Sequence, residues 1–463
     1  MSIIAEHGQL LLLLACLFGF FMAWGVGAND VANAMGTSVG AKALTIKQAI
    51  LIAMLFEFCG AYLAGGEVTD TIRKGIINPD YLSDHPDLLV YGMLSALLAA
   101  GTWLFVASLM GWPVSTTHSI VGALVGFAAV GIDMDAVAWP KVGQIVASWV
   151  VSPVLAGTIS FGLFISAQSL ILRAEKPFEA AKRYIPFYLF LVGFMISMVT
   201  MVKGLKHVGL GLSFGQSLLY ALLAGLVPTA IGQFFLNRIK DVPDPTGQSR
   251  FASVERVFAV LMVFTACAMA FAHGSNDVAN AMGTSVGAKA VTIKQAILIA
   301  MVFEFAGAYL AGGDVTSTIR SGIIDIEKAG FSDSPELLVY GMLSSLLAAG
   351  IWLLIASNYG WPVSTIHSII GAIVGFAVVG ISPDAVVWSQ VGSIVASWVV
   401  SPMCSGILAF YIFRSVQKLI LDTDEPFLNA KKYVPLYIFL VGFVIGMVTL
   451  VKGLRHVGLE ITF

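Results

Sequence analysis

Residues 29–54 read NDVANAMGTSVGAKALTIKQAILIAM, and residues 276–301 read NDVANAMGTSVGAKAVTIKQAILIAM. Leu44 against Val291 is the one difference, so 25 of 26 positions agree at a constant offset of 247. Each copy places an Asn-Asp pair, a second Asn and several small residues at the end of a long apolar run. Two such copies read as halves of one buried polar site inside a membrane.

The surrounding composition supports that solvent. Of 463 residues, 58% are hydrophobic and 11% charged, with mean hydropathy +0.90. Globular domains carry about a quarter charged residues, and this much apolar surface cannot all enter one core. Apolar runs long enough to span a bilayer, roughly 20 residues each, recur along the chain. Alternating patterns of barrel type are absent. The fold class expected is an all-α polytopic membrane protein of about 12 spans in two homologous repeats, with re-entrant segments. The net charge of −2 says little about partners, and no basic block points to nucleic acid. Glu6 without Lys or Arg makes the first run a poor secretory signal, so it reads as a retained span. Cys16, Cys59, Cys267 and Cys404 lie in apolar segments without metal spacing and read as small core residues.

Apolar periodicity predicts spans near 9–28, 45–65, 88–110, 119–132, 142–168, 184–202 and 214–236. A polar connection with Pro243, Pro245 and Gly247 follows. The second half repeats the pattern near 256–275, 292–312, 337–357, 368–381, 391–416 and 433–451. Glu57 pairs with Glu304 and Arg73 with Arg320; after a two-residue insertion, His118 pairs with His367, Pro153 with Pro402 and His207 with His456. The division expected is a first repeat over 1–210, a linker span and polar loop over 211–253, and a second repeat over 254–463. Repeats of this size suggest a transporter. Seven crossings before the second copy would invert it. The short 119–132 segment weakens that count if it only dips into the membrane, and the Lys/Arg distribution leaves the orientation open. The stretches 67–87 and 314–336 read as solvated connections; Arg73, Arg320, His207 and His456 read as membrane-edge residues.

Four groups of residues could carry chemistry. Asp30 and Asp277 are ionisable at membrane depth, where charge is costly and functional by default. Asn29 with Asn33, and Asn276 with Asn280, stand four apart and would share a helix face. Gly25, Gly27 and Gly274 precede the motifs, so the helix is expected to break there. A carboxylate, amides and carbonyls at a break suit a hard cation such as sodium; capping of a discontinuous helix is the alternative. Glu57 and Glu304 sit in apolar runs with no Lys or Arg within a helical turn. They are cation ligands, site walls or proton carriers, or else structural carboxyls. Gly111-Trp112-Pro113-Val114-Ser115-Thr116-Thr117-His118 and Gly360-Trp361-Pro362-Val363-Ser364-Thr365-Ile366-His367 look like helix N-termini, where hydroxyls and free N–H groups hold an oxyanion or merely cap. His118 and His367 are hydrogen-bonded structural residues or ligands.

The blocks GANDVANA at 27–34 and GSNDVANA at 274–281, with VSTTHS and VSTIHS, closely resemble the signature of the inorganic phosphate transporter family. The resemblance covers essentially the whole chain. It implies a carrier, not an enzyme, that imports phosphate with sodium or protons and has no cofactor. It also implies inverted repeats, a homodimer and a multi-pass cell (inner) membrane location. By position, Asp30, Asn33, Asp277 and Asn280 match cation and phosphate residues, with Asn29 and Asn276 beside them. Ser115, Thr116, Thr117, Ser364 and Thr365 match phosphate-binding hydroxyls, and Glu57 and Glu304 match glutamates needed for transport. Ile366 departs from Thr117, so the two clusters are not equivalent. Proton-coupled or metal-phosphate symport and sulfate uptake are the competing readings. A membrane phosphatase using His118 and His367 lacks a nucleophile–base–orienter set.

Overall fold

The computed structural model describes residues 3–31, 35, 37–39, 43–78, 81, 86–204, 211–241, 251–287, 291–311, 322–325, 328 and 335–448. Asn33, Arg320, His207 and His456 lie outside the described residues, as do the side chains of Arg73 and Asn280.

Helices follow the apolar runs. In the first half they are α1 (Ile3–Val26), α2 (Ile46–Ala64), α3 (Gly66–Lys74), α4 (Pro86–Leu109), α5 (Thr116–Gly131), α6 (Trp139–Ala167) and α7 (Pro177–Val199). Helix α8 (Phe214–Arg238) joins the halves. The second half contains α9 (Ala252–His273), α10 (Ala279–Gly287), α11 (Ile293–Ala311), α12 (Pro335–Asn358), α13 (Thr365–Gly380), α14 (Trp388–Val416) and α15 (Pro426–Val448). Eleven helical stretches among the described residues are long and apolar enough to cross a membrane, and α5 and α13 are shorter. At 16 residues each, these two extend about 24 Å, short of a ~30 Å hydrocarbon core.

The ends of these helices are written locally. Thr45 with Gln48, and Thr292 with Gln295, form reciprocal side-chain bonds to the backbone that start α2 and α11. Ser115 and Ser364 cap α5 and α13, accepting from the N–H of His118 and His367 at 3.3 Å. The turn before each needs φ of +68° at Gly111 and +67° at Gly360, a region that a Cβ disfavours. Helix α7 begins ahead of its apolar run, at Pro177, because Lys182 can lie over the Phe178 ring and donate to the Ile239 carbonyl.

One expectation fails. The 67–87 stretch is not wholly a solvated connection, because Gly66–Lys74 is helical. Its Val68, Ile72 and the following Ile76 are buried at a spacing of four, against Gly283 of α10 among others. Glu67 faces outward to Lys203 at 3.1 Å. The charged residues that suggested a loop are the polar face of an amphipathic helix.

The two halves cross. Glycines of α5, Gly122 and Gly126, lie against the backbone of Pro402 and Gly406 in α14. Gly371 and Gly375 of α13 lie in the same way against Pro153 and Gly157 of α6. Side chains at these positions would collide with backbone, so small residues permit helix approach where lipid offers no hydrophobic drive. Nearer the motifs, Gly27 abuts the Glu304 backbone and Gly274 the Glu57 backbone. Each of these six contacts has a twin in the other half.

Candidate functional site

The helices leading into the Asn-Asp motifs do not simply break. After α1, residues Gly27–Val31 form one widened π-type turn, and after α9 so do Gly274–Val278, where the helix then continues into α10. A widened turn disturbs the i→i−4 ladder and redirects side chains inward. Asn29, Asp30, Asn276 and Asp277 are all buried there, the aspartates at 2% and 1% exposure.

The asparagines clasp the turns that precede α5 and α13. Asn29 donates through Nδ2 to the Trp112 carbonyl at 2.9 Å and accepts from the Val114 N–H at 3.2 Å. Asn276 does the same with Trp361 (2.9 Å) and Val363 (3.2 Å), and adds the Ser357 hydroxyl. Each motif thus holds the Trp-Pro-Val turn of its own half, and each amide oxygen keeps a second lone pair.

The halves then meet at Asp277. Its Oδ1 accepts from Thr117 Oγ1 at 3.4 Å, and its Oδ2 accepts from Thr365 Oγ1. The one Thr117 hydroxyl proton is shared with the Val363 carbonyl across the repeats, the nearer acceptor at 3.0 Å. Thr116, the repeat twin of Thr365, is buried and its hydroxyl makes no hydrogen bond among the described residues. Ser115 and Ser364 are buried at the same place and cap α5 and α13.

His273 was not singled out from the sequence. Its Nδ1 donates to Glu57 Oε1 at 2.7 Å, while Nε2 lies 3.4 Å from Asp277 Oδ2 without hydrogen-bond geometry. Nitrogen and carboxylate atoms of Asp30, His273 and Asp277 fall within 4.8 Å of one another. The repeat twin of His273 is Val26. An ionisable residue opposite an apolar one, three positions before the near-identical Asn-Asp blocks, was the available signal.

Glu57 and Glu304, 3% and 2% exposed, face one small cleft. Its wall is made of twin pairs, including Val31 with Val278 and Met54 with Met301, so it lies where the repeats are equivalent. About 10 Å³ is enclosed, room for one water-sized guest and too little for a tetrahedral oxyanion. His273 links the Asp30–Asp277 pair to Glu57, which shares its cleft with Glu304. Four carboxyls therefore converge with one imidazole. His118 and His367 are hydrogen-bonded to backbone carbonyls at 2.9 Å, with no nucleophile placed beside them in these bonds.

The phosphate transporter family profile matches residues 26–283 and 274–462. A provisionally assigned phosphate permease of Haemophilus influenzae is 43% identical over 436 residues, covering 90% of this chain and 100% of the relative. The chloroplastic inorganic phosphate transporter 2-1 of Arabidopsis thaliana is 35% identical, covering 90% and 75%. A solved structure described as the sodium-dependent phosphate transporter superposes with TM-score 0.77 at 32% identity, covering 89% of this chain and all of that one. These relatives are transporters, and with the apolar helices they make this a multi-pass membrane protein. The chain belongs to the phosphate transporter family.

Proposed function

We propose that the protein imports inorganic phosphate together with sodium, by alternating access of two inverted repeats around the Asp30–Asp277 site. The observation that carries this is the convergence of four buried carboxyls and one imidazole beside hydroxyl donors. Carboxylate oxygens of Asp30 and Asp277 lie within 4.8 Å of each other, and two unit charges at that separation repel by about 3.5 kcal/mol at an effective dielectric of ~20. An arriving phosphate would add to that. Bound sodium offsets the repulsion and makes the site attractive to the anion. Asp30, Asp277 and the amide oxygens of Asn29 and Asn276 supply hard ligands. The Glu57–Glu304 cleft has the size for an ion. Asn33 and Asn280 join this set by sequence position.

The oxyanion would lie at the tips of α5 and α13, where Thr116, Thr117 and Thr365 present hydroxyls and the helix starts present N–H groups. Ser115 and Ser364 serve this place mainly by shaping the turn. A phosphate oxygen that carries a proton can donate to Asp30 or Asp277, and sulfate at neutral pH cannot. The repeats, 1–210 and 254–463 about the 211–253 linker, are the moving parts in this proposal. Assembly as a homodimer in the cell membrane belongs to it as well.

The test is radiolabelled phosphate uptake into proteoliposomes with ion and anion exchanged in turn. Uptake driven by a sodium gradient, weakly inhibited by equal sulfate and lost in Asp30→Asn and Asp277→Asn, supports the reading. Uptake that persists without sodium and collapses with an uncoupler replaces sodium by protons. Unaltered sodium dependence in both variants removes the site assignment.

A further inference from the structure

Two prolines inside long helices leave a debt that the other repeat settles. Pro153 in α6 and Pro402 in α14 have no N–H. The carbonyl four residues earlier, Trp149 or Trp398, therefore lacks its helical donor. A buried carbonyl without a donor is costly. His367 Nδ1 lies 2.9 Å from the Trp149 carbonyl, and His118 Nδ1 lies 2.9 Å from the Trp398 carbonyl. A carbonyl only accepts, so Nδ1 carries the proton in both rings.

Stacking closes the arrangement. The His118 ring lies on Trp149 at 3.5 Å between centroids and His367 on Trp398 at 3.6 Å. The two imidazoles meet edge to face at 4.4 Å. Each histidine thus stacks on the tryptophan of its own half and donates to the tryptophan of the other. Both are fully buried. They are the third residues of α5 and α13, one or two positions after the threonines that reach Asp277.

We propose that His118 and His367 are positioning residues, which by filling the carbonyls that Pro402 and Pro153 leave open fix where Thr117 and Thr365 meet Asp277 and where these two and Thr116 face the transported oxyanion. The inference rests on the phosphate reading for its substrate, while the brace itself can be tested without it. A merely structural bond would be replaceable by any donor to the carbonyl. A positioning bond is not, because the tether to the helix tip is lost.

The experiment compares His367→Leu, His367→Asn, His367→Leu with Pro153→Ala, and His367→Leu with Pro402→Ala, in the full-length protein. Thermal midpoint in detergent and phosphate KM and kcat in proteoliposomes are read for each. Losing the bond is expected to lower the midpoint and raise KM about tenfold, with kcat changed less. Pro153→Ala returns an N–H to the Trp149 carbonyl and restores the midpoint of His367→Leu, whereas Pro402→Ala does not. KM stays raised in the Pro153→Ala double variant. His367→Asn, whose amide stands near the position of Nδ1, recovers both readouts. If His367→Leu does not fold, the twin set built on His118→Leu and Pro402→Ala gives the same comparison. KM recovering together with the midpoint, or both prolines acting alike, overturns the proposal. Wild-type protein that takes up no phosphate overturns the transport reading instead, and the thermal comparison still decides whether the brace exists.

Discussion

Replacing His273 by leucine removes the one imidazole in a cluster of four carboxyls. The ring joins Glu57 at 2.7 Å and lies 3.4 Å from Asp277, all at 4% exposure or less. Removing one member of a buried ion pair costs about 3–5 kcal/mol, because the partner's charge is left uncompensated. Loss of packing adds little, since leucine is close in volume to histidine. The thermal midpoint of His273→Leu in detergent is therefore expected to fall well below that of Val26→Leu, the same change made at the repeat twin. Adding Glu57→Gln to His273→Leu should recover part of the loss, because removing both partners costs less than stranding one. Sodium should recover part of it too, in a saturable way that follows from binding only to the folded state. A midpoint equal to that of Val26→Leu, with no response to sodium, would refute the electrostatic reasoning.

Further outcomes follow from other contacts. Thr365→Val removes a hydroxyl that donates to Asp277 and should weaken phosphate binding about tenfold, on the scale of one hydrogen bond to a charged group; equilibrium binding with labelled phosphate checks it. Glu304→Gln, at a carboxyl with one oxygen unbonded among the described residues, should lower sodium affinity with little loss of stability, whereas Glu57→Gln should also lower stability by about 1 kcal/mol, because His273 then donates to a neutral amide oxygen in place of a carboxylate. Sodium-activated uptake read beside thermal midpoints separates the two. Gly274→Val forces side-chain atoms into the Glu57 backbone, so folded protein should be lost on size-exclusion chromatography while Gly143→Ala, with open space around it, behaves as wild type.

Much of this molecule is legible in the chain because lipid imposes simple rules. Spans follow from apolar runs, and the doubled NDVANA block announces two homologous halves. The short apolar run 119–132 already marked α5 as a shorter helix than the spans around it. Other features depend on which helices touch. Asn29 looked like a ligand residue, and only the fold shows its amide clasping Trp112 and Val114. The 66–74 helix was hidden because its charges suggested a loop, although Val68, Ile72 and Ile76 already carried a helical spacing. His273 was missed for a different reason. Attention to what the repeats share passes over the place where they differ, and Val26 against His273 makes the two half-sites chemically unequal. The bonds from His118 and His367 were out of reach, since their partners lie 280 and 218 positions away in sequence.

Phosphate binding to the purified protein at zero and at saturating sodium tests the central claim most directly. If cations offset the Asp30–Asp277 charge, sodium raises phosphate affinity by tenfold or more, and phosphate raises sodium affinity by the same factor, as linkage requires. Phosphate affinity that stays the same without sodium would contradict the account.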